Sequence, residues 1–185
     1  MSHRILDILV KFGFESGKQE FMRVILTEEK TMIREVTLND VKALAKLYKD
    51  LLIFHNKLDP EKYVVPDDEA CEKRLEWFLE FSDMFKMLCH ETDGVLDGYV
   101  VYMLPDKYSS KDSSDVAITV NSIVVAENAR GNRIGERLID EICRLAKENS
   151  CSRITVDVHL YNGIARKFFE KVGMVPTTVH LEKRL

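Results

Sequence analysis

Ile123-Val124-Val125-Ala126-Glu127-Asn128-Ala129-Arg130-Gly131-Asn132-Arg133-Ile134-Gly135-Glu136-Arg137-Leu138 is the most informative stretch of this chain. A β-branched run enters a short turn carrying Arg130, Gly131, Asn132 and Arg133. Apolar residues Ile134, Leu138, Ile139, Ile142, Leu145 and Ala146 then recur at helical spacing as far as Asn149. The pattern predicts a strand, a turn and a helix. The first turn of a helix has amides without intrahelical partners and the positive end of the backbone dipole, which together suit a phosphate. Gly131 and Gly135 remove Cβ atoms that would hold a ligand off the backbone, and Arg130, Arg133 and Arg137 add charged donors. A pyrophosphate is the natural guest. The alternative is an ordinary strand-to-helix turn with a solvated basic face. Neither GxxxxGK[ST] nor GxGxxG occurs in the chain, so the common nucleoside-triphosphate and dinucleotide sites lose support.

Downstream, Arg153–Leu160 reads as a second strand and Ile164–Val172 as a helix with Asn162 as its N-cap and Gly173 as its C-cap. Alternation places Ile154, Val156, Val158 and Leu160 on one strand face and Thr155, Asp157, His159 and Tyr161 on the other. A final strand is expected over Val175–Leu181. Upstream, a short strand near Met32–Val36 precedes Thr37-Leu38-Asn39-Asp40, a capping box ahead of an amphipathic helix through Leu52. Pro66 and the acidic Asp67, Asp68 and Glu69 open another helix to about Phe81. Phe85–His90 and Leu96–Met103 form a hairpin about Asp93-Gly94, and Val116–Val125 is a long strand. Residues 1–31 stand apart as an extension: an amphipathic helix at 4–12 and a strand at 21–26, a candidate oligomerisation element. The main domain spans 32–185. The order of elements predicts an α/β fold with a mixed sheet.

The 185 residues suit one such domain, and 45% hydrophobic content supplies a core. The formal charge of -4 argues against a nucleic-acid footprint. The four cysteines form no CxxC pair, and no His pair has metal spacing, so no metal site is expected and the thiols read as reduced in a cytoplasmic protein. No apolar run is long enough for a membrane span.

Arg130-Gly131-Asn132-Arg133-Ile134-Gly135 resembles the acyl-CoA signature [RQ]xxGx[GA] of the GNAT superfamily of N-acetyltransferases. Asn162, Ala165, Phe169, Gly173 and Met174 resemble its later motif NxxAxxxYxxxGF. The resemblance covers roughly residues 32–181. It implies a mixed, mostly antiparallel sheet flanked by helices and splayed between its two central strands. It also implies direct transfer of an acetyl group from acetyl-CoA to a primary amine on a small molecule or protein; the extension at 1–31 leaves the choice between a monomer and a homodimer open.

By the same resemblance, the backbone of Ile123, Val124 and Val125 faces the thioester and pantetheine arm, with the Val125 amide polarising the carbonyl. The amides of Arg130, Gly131, Asn132, Arg133, Ile134, Gly135 and Glu136 cradle the pyrophosphate, and Asn162, Arg166 and Phe169 adjoin the rest of the cosubstrate. Asp157 or His159 takes the amine proton, and Asn121 orients a water or the acceptor. His55, Asn56 and Asp59 line the acceptor side, with the loop 105–115 as a cover. Two departures stand out. Arg133 replaces a glycine. Phe169 replaces a tyrosine that protonates the departing thiolate, so Tyr161 is the substitute donor. These departures motivate an alternative: a non-catalytic acyl-CoA-binding or sensor module of the same fold.

Overall fold

The computed structural model describes residues 30–104 and 116–183. The expected helix at 4–12, the strand at 21–26 and the loop 105–115 lie outside the described residues.

The main domain opens with β1 (Thr31–Glu35), followed by α1 (Val41–Leu58) and α2 (Asp68–Glu80). Between β1 and α1 the Thr37–Asp40 box is tighter than its sequence suggests. Leu38–Asp40 forms one 3-10 turn, and Asp40 Oδ2 accepts from the Thr37 amide at 2.8 Å. Arg34 grips both oxygens of the same carboxylate at 2.8 and 2.9 Å and reaches Glu91. Asp40 is thereby held far below the ordinary carboxylate range, chiefly by the Arg34 hydrogen bonds. This knot fixes where α1 leaves the sheet.

The hairpin of β2 (Phe85–Thr92) and β3 (Val95–Met103) turns at Asp93 and Gly94, both with positive φ (48° and 84°). That is the backbone a two-residue hairpin turn requires, and the Asp-Gly dipeptide supplies it. β4 (Ala117–Val125), α3 (Ile134–Glu148), β5 (Arg153–Val156) and α4 (Gly163–Lys171) complete the order. The sheet runs β1-β2-β3-β4-β5, antiparallel except for the β4–β5 pair. Helices α1 and α2 cover one face through Leu44, Leu75, Phe78 and Tyr99. Helices α3 and α4 cover the other through Ile118, Leu138, Ile142 and Phe169.

β4 positions the site. It has a bulge: Val101 pairs with Ser122 and Tyr102 with Val120, leaving Asn121 opposite no residue of β3. A bulge bends its strand and inverts the side-chain alternation beyond it. The inversion is visible. Ile118 and Val120 lie in the α3-side core, Ile123 and Val125 pack against that same core, and Val124 falls in the α1-side core. The parallel ladder with β5 ends at Val120–Val156, immediately before the bulge.

Two sequence expectations are corrected. The strand expected over Arg153–Leu160 stops at Val156, where the ladder with β4 ends just before the bulge at Asn121. Asp157, His159 and Tyr161 therefore do not share a strand face with Thr155. The strand expected over Val175–Leu181 is absent from the described residues. Pro176 contributes no amide donor, and Val175 and Leu181 are 76% and 87% exposed, so burial does not favour an extended pairing there. Among the described residues no helix is long and apolar enough to cross a membrane.

Candidate active site

The parting of β4 from β5 makes an opening with two unlike walls. One is backbone. Ala126 N–H donates to Asp97 O on β3 at 2.8 Å. Alternation along the strand then turns the amides of Val125 and Ile123 away from β3, toward the side where β5 has departed. Val124 differs from its neighbours: its backbone belongs to the β3 ladder opposite Tyr99 and its side chain is buried.

Beyond Ala126 comes a 3-10 turn (Glu127–Ala129), then Arg130, Gly131 with φ 90°, Asn132 and Arg133. Arg133 is the N-cap of α3 in the left-handed conformation, φ 61° and ψ 15°. That explains why a glycine suits the position, since a side chain there costs about 1 kcal/mol. The Arg133 side chain points out to solvent and bonds Glu136 at 3.2 Å, leaving the backbone clear. Lys171 holds the other Glu136 oxygen at 2.7 Å, and these two cations lower the Glu136 carboxyl, Lys171 most. The first α3 amide with a helical carbonyl is that of Arg137, on Arg133 O at 3.0 Å. The amides of Ile134, Gly135 and Glu136 have none, and no side chain caps them. By contrast, Asp67 caps α2 and Asn162 caps α4, at 2.8 and 3.0 Å.

Side chains in this half divide in a way the motif did not reveal. Arg130 Nε donates to Val125 O at 3.3 Å at the rim of the opening. Arg137 instead turns to Thr31 on β1, so it does not serve the turn. A Cβ on Gly135 would lie 3.0 Å from Phe168 Cε2, so this glycine is dictated by the close packing of α3 on α4. Gly98, which the sequence reading passed over, has the same logic: a Cβ there would lie 2.9 Å from Ile134 Cγ2 and 3.1 Å from Val124 O. It lets the first turn of α3 settle onto β3. Its signal was a lone glycine inside a strand. Asn162 is buried and spends its Oδ1 on the α4 amide of Ala165, while Arg166 reaches back to Leu160 O at 3.4 Å. Phe169 is buried in the α3-side core, with its ring withdrawn from solvent.

The other wall is side chain. His55 from the last turn of α1, Tyr63 from the α1–α2 connection, and His159 and Tyr161 from the segment after β5 come together. The His55 and Tyr63 rings stack with centroids 4.8 Å apart, His159 and Tyr161 stack at 5.0 Å, and His55 meets His159 edge-on at 6.1 Å. The Tyr63 hydroxyl is hydrogen-bonded to His159 Nε2. Tyr63 is pinned in turn: its carbonyl accepts from Asn56 Nδ2, and its amide donates to Asp59 O at 3.1 Å. Burial, then the neighbouring His159, lowers the basicity of His55, whose Nδ1 is buried without a partner. Tyr161 is 44% exposed, and partial desolvation, then Tyr63 and Asp59, raise its phenol above the ordinary value. Asp157 is exposed, and Asn121 is the exposed bulge residue. Of the residues expected on the catalytic and acceptor sides, the fold gathers His55, His159 and Tyr161. Asn56 and Asp59 support them from behind, and Tyr63 was missed.

A sequence model of the acetyltransferase (GNAT) family matches residues 45–174, which take in both walls. The chain belongs to the GNAT family. No curated protein matches it by sequence. Solved structures share the fold across most of the chain. A tetramutant of the BH1408 protein of Bacillus halodurans is 20% identical, with 83% of this chain and 99% of that one covered and a TM-score of 0.76. The aminoglycoside N-acetyltransferase AAC(6')-Iy, solved with CoA, is 19% identical, with 85% and 95% covered and a TM-score of 0.64. The ribosomal-protein-alanine N-acetyltransferase of Brucella melitensis biovar Abortus is 24% identical, with 84% and 100% covered and a TM-score of 0.61. At these identities the likeness establishes the GNAT fold.

Proposed function

We propose that this GNAT protein transfers an acetyl group from acetyl-CoA to a primary amine by direct attack within a ternary complex. The observation that carries the reading is continuous: the Ile123 and Val125 amides on the open edge of β4 lead directly to the uncapped amides of α3. An extended amide-bearing arm ending in a pyrophosphate fits that sequence of donors, and CoA has this form. Acetyl-CoA supplies the activated acyl group. The Val125 amide polarises its carbonyl as a fixed donor. The amides from Gly131 to Glu136 hold the pyrophosphate, with Arg130 and Arg133 at its flanks. Asn162 and Arg166 border the remainder of the arm. Phe169, buried in the core, supports α4 and has no hydroxyl to give.

An ammonium has no lone pair with which to attack a thioester, so a proton must leave. His159 is the acceptor best placed for that proton, at the centre of the aromatic wall. Asp157, exposed nearby, serves as an outer carboxylate that draws a cationic acceptor in. Tyr161, kept protonated across the neutral range, donates to the departing thiolate. Asn121 presents its amide at the bend of β4 to orient the acceptor. The N-acetyltransferases named above act, by their names, on an aminoglycoside and on a ribosomal-protein alanine, which supports an amine acceptor of either small-molecule or protein kind.

Calorimetric titration with acetyl-CoA and desulfo-CoA, followed by CoA-release assays over amines and peptides, tests the reading. Saturable binding and amine-dependent release are expected. Absence of binding at high micromolar acetyl-CoA overturns it. Binding without release across the panel establishes instead a non-catalytic acyl-CoA module.

A further inference from the structure

We propose that Tyr63 is a catalytic residue of this site: its hydroxyl receives the acceptor's proton as its own passes to His159, making the pair one proton relay. The inference rests on the acetyltransferase reading above and goes beyond it by naming the group that meets the amine.

His159 Nε2 is engaged by the Tyr63 hydroxyl, so it is not free to meet a substrate directly. A neutral imidazole has one acceptor nitrogen, and a tyrosine O–H that donates to Nε2 leaves the ring proton on Nδ1. What Tyr63 then offers the opening is a phenolic oxygen with lone pairs to spare. Its ring is fixed on three sides: stacked on His55, edge-on to His159 with centroids 5.7 Å apart, and tied by its backbone to Asn56 and Asp59.

His55 completes the arrangement. It is depressed in basicity and does not take the proton itself, and its edge lies against His159. The Tyr63 hydroxyl also lies close enough to Tyr161 to perturb it, so one hydroxyl borders both the acceptor of the proton and its donor.

The chemistry balances. The amine nitrogen forms a C–N bond to the acetyl carbon, and the C–S bond breaks with its electron pair on sulfur. Nitrogen's proton goes to Tyr63 Oη while the Tyr63 proton goes to His159 Nε2. Tyr161 gives its hydroxyl proton to the thiolate and is refilled from His159 through Tyr63. Counted from the neutral amine no proton is gained or lost; the proton that an ammonium sheds beforehand goes to solvent, and the transfer needs no oxidant. The relay answers the question raised by Phe169, a position without a hydroxyl.

The test uses Tyr63→Phe, which keeps the stacking ring and removes only the oxygen, with an amine that the unmodified protein acetylates. The expected kcat loss is about 100-fold, within the range for removing a general acid–base group, with CoA affinity unchanged by calorimetry. His159→Gln should cost about as much, and the double variant no more than the worse single, as for groups acting as a unit. Nitrogen NMR of the unliganded protein should find the His159 proton on Nδ1, a preference that Tyr63→Phe abolishes. Undiminished turnover in Tyr63→Phe, additive losses in the double variant, loss of CoA affinity in Tyr63→Phe, or a His159 proton on Nε2 each overturns the relay while leaving the acetyltransferase reading intact. Absence of acetylation by the unmodified protein overturns both.

Discussion

The two walls of the opening between β4 and β5 are made of different material. The α3 wall is main chain: amides of Ile123 and Val125 and the uncapped first turn of α3, all within one short run of sequence. The α1 wall is side chain, and His55, Tyr63 and His159 meet across about 100 positions of sequence, His159 lying 96 positions from Tyr63. A main-chain wall tolerates substitution provided the backbone keeps its shape, which is why an arginine can occupy a left-handed N-cap. A side-chain wall is specific to its residues. The first suits a ligand of constant chemistry, and the second suits whatever amine this protein selects.

That division can be broken by experiment. The largest effect is expected at His159. Its change to Gln should lower kcat by about 100-fold, or about 2.7 kcal/mol in the barrier, with CoA affinity unaltered. An equal loss in CoA affinity would mean that the two walls act as one.

Gly98→Ala attacks the other wall. The new Cβ meets Ile134 Cγ2 at 2.9 Å and the Val124 carbonyl at 3.1 Å, and the carbonyl has little room to yield. We expect about 2 kcal/mol of lost stability, with weaker CoA binding as the first turn of α3 lifts. Thermal melts and calorimetry read both. A variant with native melting and native CoA affinity would show that α3 does not depend on this seat.

Asn162→Ala removes the α4 cap and should cost about 1 kcal/mol in denaturant unfolding. If CoA affinity falls as well, its amide has a ligand contact beyond the cap.

Arg133→Gly relieves a left-handed side chain. A gain of about 0.5–1 kcal/mol is expected, since the exposed Glu136 pair contributes little. A gain in stability accompanied by weaker CoA binding would show that evolution has exchanged backbone ease for a phosphate contact.

The smallest effect concerns pH. The folded protein favours neutral His55, so the fold binds fewer protons there than the unfolded chain. Stability from this group is present above the unfolded imidazole value of about 6.5 and declines as pH falls below it. His55→Phe should flatten that slope below about pH 6.5 in denaturant titrations. An unchanged slope would assign it to another group.

The main-chain wall was legible in the sequence because its signals are local. The turn residues, the helix period after Ile134 and the Asn162 cap all act within a few positions, and each is found where expected. The side-chain wall was legible only in part. His159 and Tyr161 were noticed for alternation on a strand, yet they lie beyond its end and are placed by the stop at Val156. Tyr63 gave no signal, because nothing local tells a loop tyrosine which imidazole it will meet. Gly135 was noticed for the approach of a ligand, while its second constraint, Phe168, is a contact between helices that only packing reveals. The C-terminal strand failed because alternating apolar residues need a partner edge, and Pro176 and the short β5 supply none.

Asn121 has one more consequence. As the single unpaired residue of β4, it sets the phase of everything that follows on that strand. Drawn into a regular ladder opposite Val101 instead of bulging out, it would leave the composition of the strand unchanged and yet exchange the inner and outer alphabets of everything beyond it. Val124 would move to the face of Ile118 and Val120, and Ile123 and Val125 would turn their amides into the β3 ladder. The donors offered to the opening would then be those of Ser122 and Val124. One residue thus works as a punctuation mark in the chain, and smoothing the bulge away would leave the words intact and change what they say.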